Sequence, residues 1–327
     1  MLRYFCSRDR GSYFGLRGLR NNSLSCCVNA VLQTLSATEE LCDLLEKWDT
    51  ADDRLDRYNV PLNLKRVLVS MRSGGSTPDP HRDFLLSLDR NYLRLNTQHD
   101  ADEVFLSILN LLQQQMNDKA LAHQIHNLYR TSVETRLQCL ECRSIRTRTS
   151  LLLTFPLHLK EENNSLEECL TSFFQHQDLS GANSWFCSPC GGHTASEQAV
   201  KVLALPPILC LQLKRFRSRR GSTFKLNCSV TFPQTFDFSE TVKEAFSLDV
   251  AQNHCTYTLY AVVVHSGYAE CGHYTAYVKL KEQWFYADDS QVQKSSWEKV
   301  QTSYGENHRG TAYMLMYRRC LKEEQRP

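Results

Sequence analysis

Hydrophobic positions recur at helical spacing through the first third of the chain and at strand spacing after it. From Cys26 to about Gln115, the stretches CVNAVLQTL, EELCDLLEKW and NLKRVLVSM place apolar residues on one face of a helix. ADEVFLSILNLLQQQM does so most clearly, through Val104, Phe105, Ile108, Leu109 and Leu112. GGSTPDP is a loop by composition. From about Tyr129 the period falls towards two, in SVETRLQC, SIRTRTSLLLTF, PILCLQLKRF, TYTLYAVVVH, HYTAYVKL and TAYMLMYRR, which predicts strands. A helical half followed by a mainly β half predicts an α+β fold rather than alternating βαβ units. No internal repeat and no long linker divides the pattern.

Composition narrows the class. A chain of 327 residues is long enough for a sizeable core. Thirteen glycines and nine prolines exclude collagen-like and low-complexity chains. The balance of 38 Lys+Arg against 36 Asp+Glu gives +2, so charge makes no case for a nucleic acid or a membrane surface as partner. The start, MLRYFCSRDRGSYF, lacks a signal-length apolar stretch. The longest apolar run, Val202 to Leu211, is ten residues with two prolines, too short to span a bilayer. Fourteen cysteines are too few for a disulfide scaffold. The expectation is a reduced protein of the cytoplasm, with the nucleus open as an alternative, whose cysteines are core residues, metal ligands or nucleophiles.

Two of those roles have sequence candidates. Cys139-Leu-Glu-Cys142 and Cys187-Ser-Pro-Cys190 are Cys-x-x-Cys pairs with 44 residues between the inner cysteines. A two-residue gap lets both sulfurs of a pair turn onto one tetrahedral ion, so two pairs supply four thiolates to one zinc. The long insert predicts that the pairs sit on separate hairpins. Four thiolates leave no open position, which makes such a zinc structural. The alternatives are buried reduced cysteines and a redox pair; neither pair follows a strand and opens a helix as a redox motif would.

The second candidate is a nucleophile. GLRNNSLSCCVNAVLQTL runs from a polar loop into a helix with Cys26 near its start, where unpaired N–H groups and the helix dipole favour thiolate. A thiol nucleophile needs a base, a group to orient the base, and oxyanion donors. His273 follows a glycine at a strand start, and Asp288 and Asp289 come fifteen and sixteen residues later, at a hairpin's reach. Asn21, five residues before Cys26, can turn its side-chain amide towards the helix start.

These boxes carry a family resemblance. GLRNNSLSC, then QHDADE, LQLKRF with VTFP, LYAVVVHSGYAECGHYTAYV, WFYADDSQV and AYMLMYRR resemble the ubiquitin-specific proteases, papain-like cysteine peptidases, over roughly residues 15 to 319. The resemblance implies a thumb at about 15–128, zinc-pinned fingers at about 129–200 and a palm at about 201–319, with residues 1–14 and 320–327 as short extensions. It makes Cys26 the nucleophile, His273 its base and Asp288 the residue that orients the base, with Asp289 sharing or backing up that role. Asn21 and the Cys26 N–H would hold the oxyanion. Gln98, Asp100 and His265 fall among the substrate contacts, although His265 also reads as a structural hydrogen bonder. Segments Arg217 to Asn227 and His265 to Cys271 sit where the family has two loops that gate the channel for the substrate tail.

Ser23 stands where the family usually has Gly, and Cys27 where it usually has an aromatic residue. The Cys-Cys pair, CLQLKRF, FPQTFDFS and SWEKVQTSYG resemble the interferon-induced branch, which removes the interferon-stimulated tandem ubiquitin-like modifier. The implied activity is cleavage of an isopeptide bond after a Gly-Gly tail, with modifier conjugates as partners and signalling proteins open as further ones. The rivals are the same enzyme acting on ubiquitin, a catalytically weak binding module, and a plain zinc-binding interaction domain.

Overall fold

The structure is a computed structural model that describes residues 16–22, 24–50, 56–73, 80–219, 221–245, 255–305 and 310–320. Its first half is a layer of helices: α1 (Cys26–Ser36), α2 (Glu39–Lys47), α3 (Val60–Ser73), α4 (Pro80–Arg90), α5 (Ala101–Gln115) and α6 (Lys119–Asn127). The predicted helical stretches account for α1, α2, α3 and α5. The additional helices are α4 and α6: α6 is capped by Asp118, and α4 opens on Pro80, a residue that suits the first helical position because its missing N–H would go unpaired there anyway. Every residue of α1 is buried, so this helix is the axis around which the layer packs.

Strands follow, as the change of period predicts: β1 (Thr131–Cys139), β2 (Ile145–Leu152), β3 (Phe155–His158) and β4 (Asn164–Ser165), then α7 (Leu166–Phe174). Next come β5 (Gln177–Leu179), β6 (Trp185–Cys187), β7 (Gly192–Thr194), β8 (Ser196–Ala204), β9 (Ile208–Lys214), β10 (Phe216–Arg219), β11 (Ser222–Lys225), β12 (Val230–Thr231) and β13 (Thr235–Asp237). After α8 (Phe238–Thr241) the chain completes β14 (Thr256–Gly267), β15 (Gly272–Leu280), β16 (Gln283–Asp288), β17 (Gln291–Ser295), α9 (Trp297–Gln301) and β18 (Thr311–Arg319). Strands β2-β1-β8-β5 form one sheet; β17-β16-β15-β14-β18-β9-β3, with β13 on the side of β14, form a larger one.

The larger sheet is covered on both faces, which explains the unbroken apolar runs in β9 and β14. Cys210, Ala261, Val263, Ala276, Met314 and Met316 face the helical layer. Leu209, Leu211, Val262, Val264, Leu315 and Tyr317 join a second core with α7 and the rings of Phe155, Phe174 and Phe238. Truncating one of these residues, such as Leu211→Ala, costs about 2–5 kcal/mol. Arg318 on β18 pairs with Glu40 at 2.8 Å, and Tyr260 on β14 meets Thr38 at 2.8 Å, so the helical layer is tied to the sheet at its far end. At the near end, the β15–β16 hairpin lies against α1. Among the described residues no helix is long and apolar enough to cross a membrane.

Candidate active site

Cys26 is the first residue of α1 and is 5% exposed. The approach to it is an irregular turn: Leu24 has φ +67°, in the left-handed region a branched residue seldom occupies. Ser25 at the N-cap makes no side-chain cap; its hydroxyl instead accepts the Asn22 N–H at 2.9 Å. The dipole and first-turn N–H groups of α1 therefore act on the Cys26 sulfur without a competing side-chain acceptor. Cys27 is 1% exposed and burial pushes its thiol up to about 12, so it packs as a neutral thiol.

His273 enters from the sheet side as the second residue of β15. Its Nε2–H donates to Asp288 Oδ1 at 2.7 Å, and the ring lies beside Cys26. The neighbouring Cys26 is the largest influence on the imidazole; helped by the Asp288 hydrogen bond and charge, and against burial, it raises the ring to about 9. His273 and Asp288 are 39% and 42% exposed, so the pair is open to an incoming substrate.

The two adjacent aspartates part company. Asp289 has φ +47° at the turn after β16, and its carboxylate accepts from Asn21 Nδ2 at 2.9 Å and Asn29 Nδ2 at 2.7 Å. Its carbonyl accepts the Leu19 N–H at 2.8 Å. Asn21 Oδ1 accepts the Ser25 N–H at 3.1 Å, so its amide is oriented at both ends, beside the start of α1. Asn29, which the sequence analysis left unassigned, had one signal: an amide inside an otherwise apolar helical stretch, three residues from Cys26.

The three expected substrate contacts are occupied inside the chain. Gln98 clasps Gly272: its Nε2 donates to the Gly272 carbonyl at 3.2 Å, and its Oε1 accepts the Gly272 N–H at 3.1 Å. It therefore ties the loop before α5 to the residue preceding His273. Asp100 caps α5 by accepting the Asp102 and Glu103 N–H groups, and its other oxygen accepts the Tyr313 hydroxyl. His265 is 2% exposed, and the expectation that it meets substrate is corrected by that burial. A Cβ on Gly272 would lie 2.1 Å from His265 Nε2, so the ring packs directly under the turn that carries His273. Burial, aided by Lys225, pushes His265 down to about 3 and keeps it neutral, and its Nδ1 has no hydrogen-bond partner. Ser23 lies outside the described residues.

The four paired cysteines also meet. Cys139 ends β1 and Cys142 lies in the turn to β2, while Cys187 ends β6 and Cys190 lies in the turn to β7, the separate hairpins that the long insert predicts. All four sulfurs lie within 4.8 Å of one another, with Cys139–Cys190 at 3.9 Å and Cys142–Cys187 at 3.5 Å. A tetrahedral zinc with sulfurs at about 2.3 Å spaces them by about 3.8 Å, so the cluster fits that ion. Thr194 Oγ1 at 3.2 Å from Cys139 and Ser144 Oγ at 3.1 Å from Cys142 are placed to orient the sulfurs. The thirteen described cysteines are all free of disulfides.

The sequence profile of the ubiquitin carboxyl-terminal hydrolases matches residues 17–317. The chain belongs to that family. Ubl carboxyl-terminal hydrolase 18 of Homo sapiens is 32% identical over 317 residues, covering 93% of this chain and 85% of the relative. The protein of that name from Mus musculus is 32% identical over 318 residues, with the same coverage. Ubiquitin carboxyl-terminal hydrolase 47 of Xenopus laevis is 28% identical over 376 residues, covering 93% of this chain but 28% of the relative. Membership in the ubiquitin carboxyl-terminal hydrolases makes the chain a cysteine-type hydrolase of ubiquitin-like modifiers. The β10–β11 hairpin and the β14–β15 turn lie close to one another. They face each other across a cleft of about 980 Å³ lined by Thr223, Phe224, Lys225, Tyr268, Glu270 and Cys271.

Proposed function

We propose that this chain is a thiol isopeptidase that frees a ubiquitin-like modifier from lysine side chains, and that the modifier is the interferon-stimulated tandem one. The observation that carries the chemistry is His273, bonded to Asp288 at 2.7 Å and raised to about 9 chiefly by its neighbour Cys26. In this reading the Cys26 proton already resides on His273, and the sulfur attacks the carbonyl carbon of the modifier's last glycine. The oxyanion is held by the Asn21 amide and the Cys26 N–H. As the tetrahedral intermediate collapses, the C–N bond breaks and His273 returns the proton to the departing lysine amine. The resulting thioester is cleaved by water, which His273 deprotonates, and Cys26 leaves. Asp288 holds the imidazole in the tautomer that presents its other nitrogen to sulfur. A zinc at Cys139, Cys142, Cys187 and Cys190 would be structural, because four thiolates fill its coordination.

The choice of modifier is supported by the Cys26-Cys27 pair and by relatives named as Ubl hydrolases at 32% identity over most of both chains. The catalytic groups act on a Gly-Gly tail common to both modifiers, so discrimination rests on contacts with the globular part. Two such contacts, each separating partners by about 10- to 200-fold, give at least about two orders of magnitude. Propargyl-terminated probes of the tandem modifier and of ubiquitin, followed by mass shift, test this. The tandem probe should label Cys26 at least about 100-fold faster. Equal rates would reject the choice of modifier and leave the isopeptidase in place.

A further inference from the structure

His81 takes no part in the chemistry above, yet a chain of bonds links it to the groups that do. It lies in the first turn of α4, 4% exposed, with Nε2 at 2.8 Å from Asn29 Oδ1. Asn29 Nδ2 is committed as a donor: it bonds Asp289 Oδ1 at 2.7 Å and approaches the Leu19 and Arg20 carbonyls at 3.4 Å. Its Oδ1 is therefore an acceptor, and the His81 ring must carry a proton on Nε2 to meet it. On its other oxygen Asp289 accepts from Asn21 Nδ2, while Asn21 Oδ1 takes the Ser25 N–H. Each link fixes the orientation of the next. A flipped Asn29 amide would set its oxygen against a carboxylate and its N–H groups against an N–H.

The frame around this chain is stiff where it needs to be. A Cβ on Gly18 would come within 2.2 Å of the Ser290 carbonyl oxygen, so the segment before α1 is pressed on the turn that carries Asp289. The left-handed backbone of Asp289 and the Leu19 N–H bond to its carbonyl keep that turn in register.

We propose that His81 is a positioning residue for the oxyanion donor: through Asn29 and Asp289 it aims the Asn21 amide. The inference rests on reading Asn21 as that donor. The test compares His81→Leu, which keeps bulk and removes the donor, with His81→Gln, whose amide nitrogen can stand where Nε2 stands. Steady-state kinetics use the tandem modifier carrying a carboxyl-terminal coumarin amide. His81→Leu should lower kcat by about 10-fold, within the range for supporting-shell residues, and leave KM within about twofold. His81→Gln should recover most of the loss. Asn21→Ala should lower kcat by about 10² to 10³. Adding His81→Leu to Asn21→Ala should then cost nothing further, because no amide remains to be aimed.

Wild-type kcat in His81→Leu, a glutamine variant as impaired as the leucine one, or full multiplication of losses in the double variant would each overturn the proposal. Independently of any substrate, ¹⁵N shifts of the His81 ring in the intact chain should place a proton on Nε2. A proton on Nδ1 alone would overturn the network even if the leucine variant fails to fold. A wild-type chain inert to every modifier substrate would sink the isopeptidase reading instead, and leave that ring measurement standing.

Discussion

The cysteine cluster and the catalytic seam are built from similar numbers of side chains and solve opposite problems. The cluster draws on two hairpins, each of which brings its own pair across a two-residue gap, and the four sulfurs close on one another within 4.8 Å. Hydroxyls of Thr194 and Ser144 fill the space around them. The seam draws on the start of α1 and the β15–β16 hairpin, and the Asn21–Asp289 bond joins residues 268 apart in sequence. It is left open, with His273 and Asp288 each about two-fifths exposed. Helix ends tell the same story. Asp100, Asp118 and Ser165 cap α5, α6 and α7, whereas α1 has no side-chain cap at the position where Cys26 needs the helix field. Closure serves stability, and the unsatisfied end serves chemistry.

The contrast is most severely tested at Cys26. Cys26→Ala should lower modifier cleavage by about 10⁴-fold or more while the melting temperature stays put, since a small residue is exchanged for a smaller one. Probe labelling that persisted, on Cys27 or elsewhere, would break the assignment; the buried, neutral Cys27 thiol should stay unlabelled. The cluster should respond the other way. Freshly purified reduced protein should contain about one equivalent of zinc, and Cys187→Ser should remove it and lower the melting temperature by about 5 °C or more. Below that transition Cys26 should still react with a small alkylating reagent at nearly the wild-type rate. Protein that holds well under one equivalent, or melts unchanged in Cys187→Ser, would remove the cluster's structural role.

The smallest effect concerns His273. Its imidazole is raised from 6.5 to about 9 in the fold, so the protonated ring is favoured by folding. That contribution is complete below about pH 6.5 and is lost as pH rises to about 9. The melting-temperature gap between wild type and His273→Ala should narrow across that window. It should be modest, because the ring is 39% exposed and solvent screens its partners. A gap that widened with pH would mean the ring is not held protonated by Cys26 and Asp288.

Much of this was legible in the sequence, for reasons that differ by region. The cysteine pairs could be read because a ligand pair at fixed local spacing needs no tertiary information. Cys26, His273 and Asp288 could be read because each sits at a marked boundary: a helix start, a glycine before a strand, a hairpin turn. The division of labour between Asp288 and Asp289 could not. It depends on a strand end and a left-handed turn residue pointing their carboxylates to different sides. His265 sits beside a turn but also ends the apolar run of β14, and burial on both faces of the sheet decides its environment. Gln98 is a substrate contact by resemblance alone, and its bond to Gly272 is beyond local sequence because that partner lies 174 residues away. Helices α4, α6 and α7 went unread although signals were present: Pro80 opens α4, Asp118 caps α6, and the Ser165–Glu168 capping box that opens α7 is written in SLEE.

The adjacent thiols at the start of α1 have a consequence for oxidation. Successive side chains on a helix diverge by roughly 100°, which leaves Cys26 beside His273 and turns Cys27 away from it, 1% exposed. A disulfide between them would require the first turn of α1 to come apart, and with it the packing of a helix that is buried along its whole length. Cys27 therefore cannot shield its neighbour while the fold is intact. An oxidised Cys26 sulfur has to be rescued by a thiol that arrives from solution, through the opening the substrate uses.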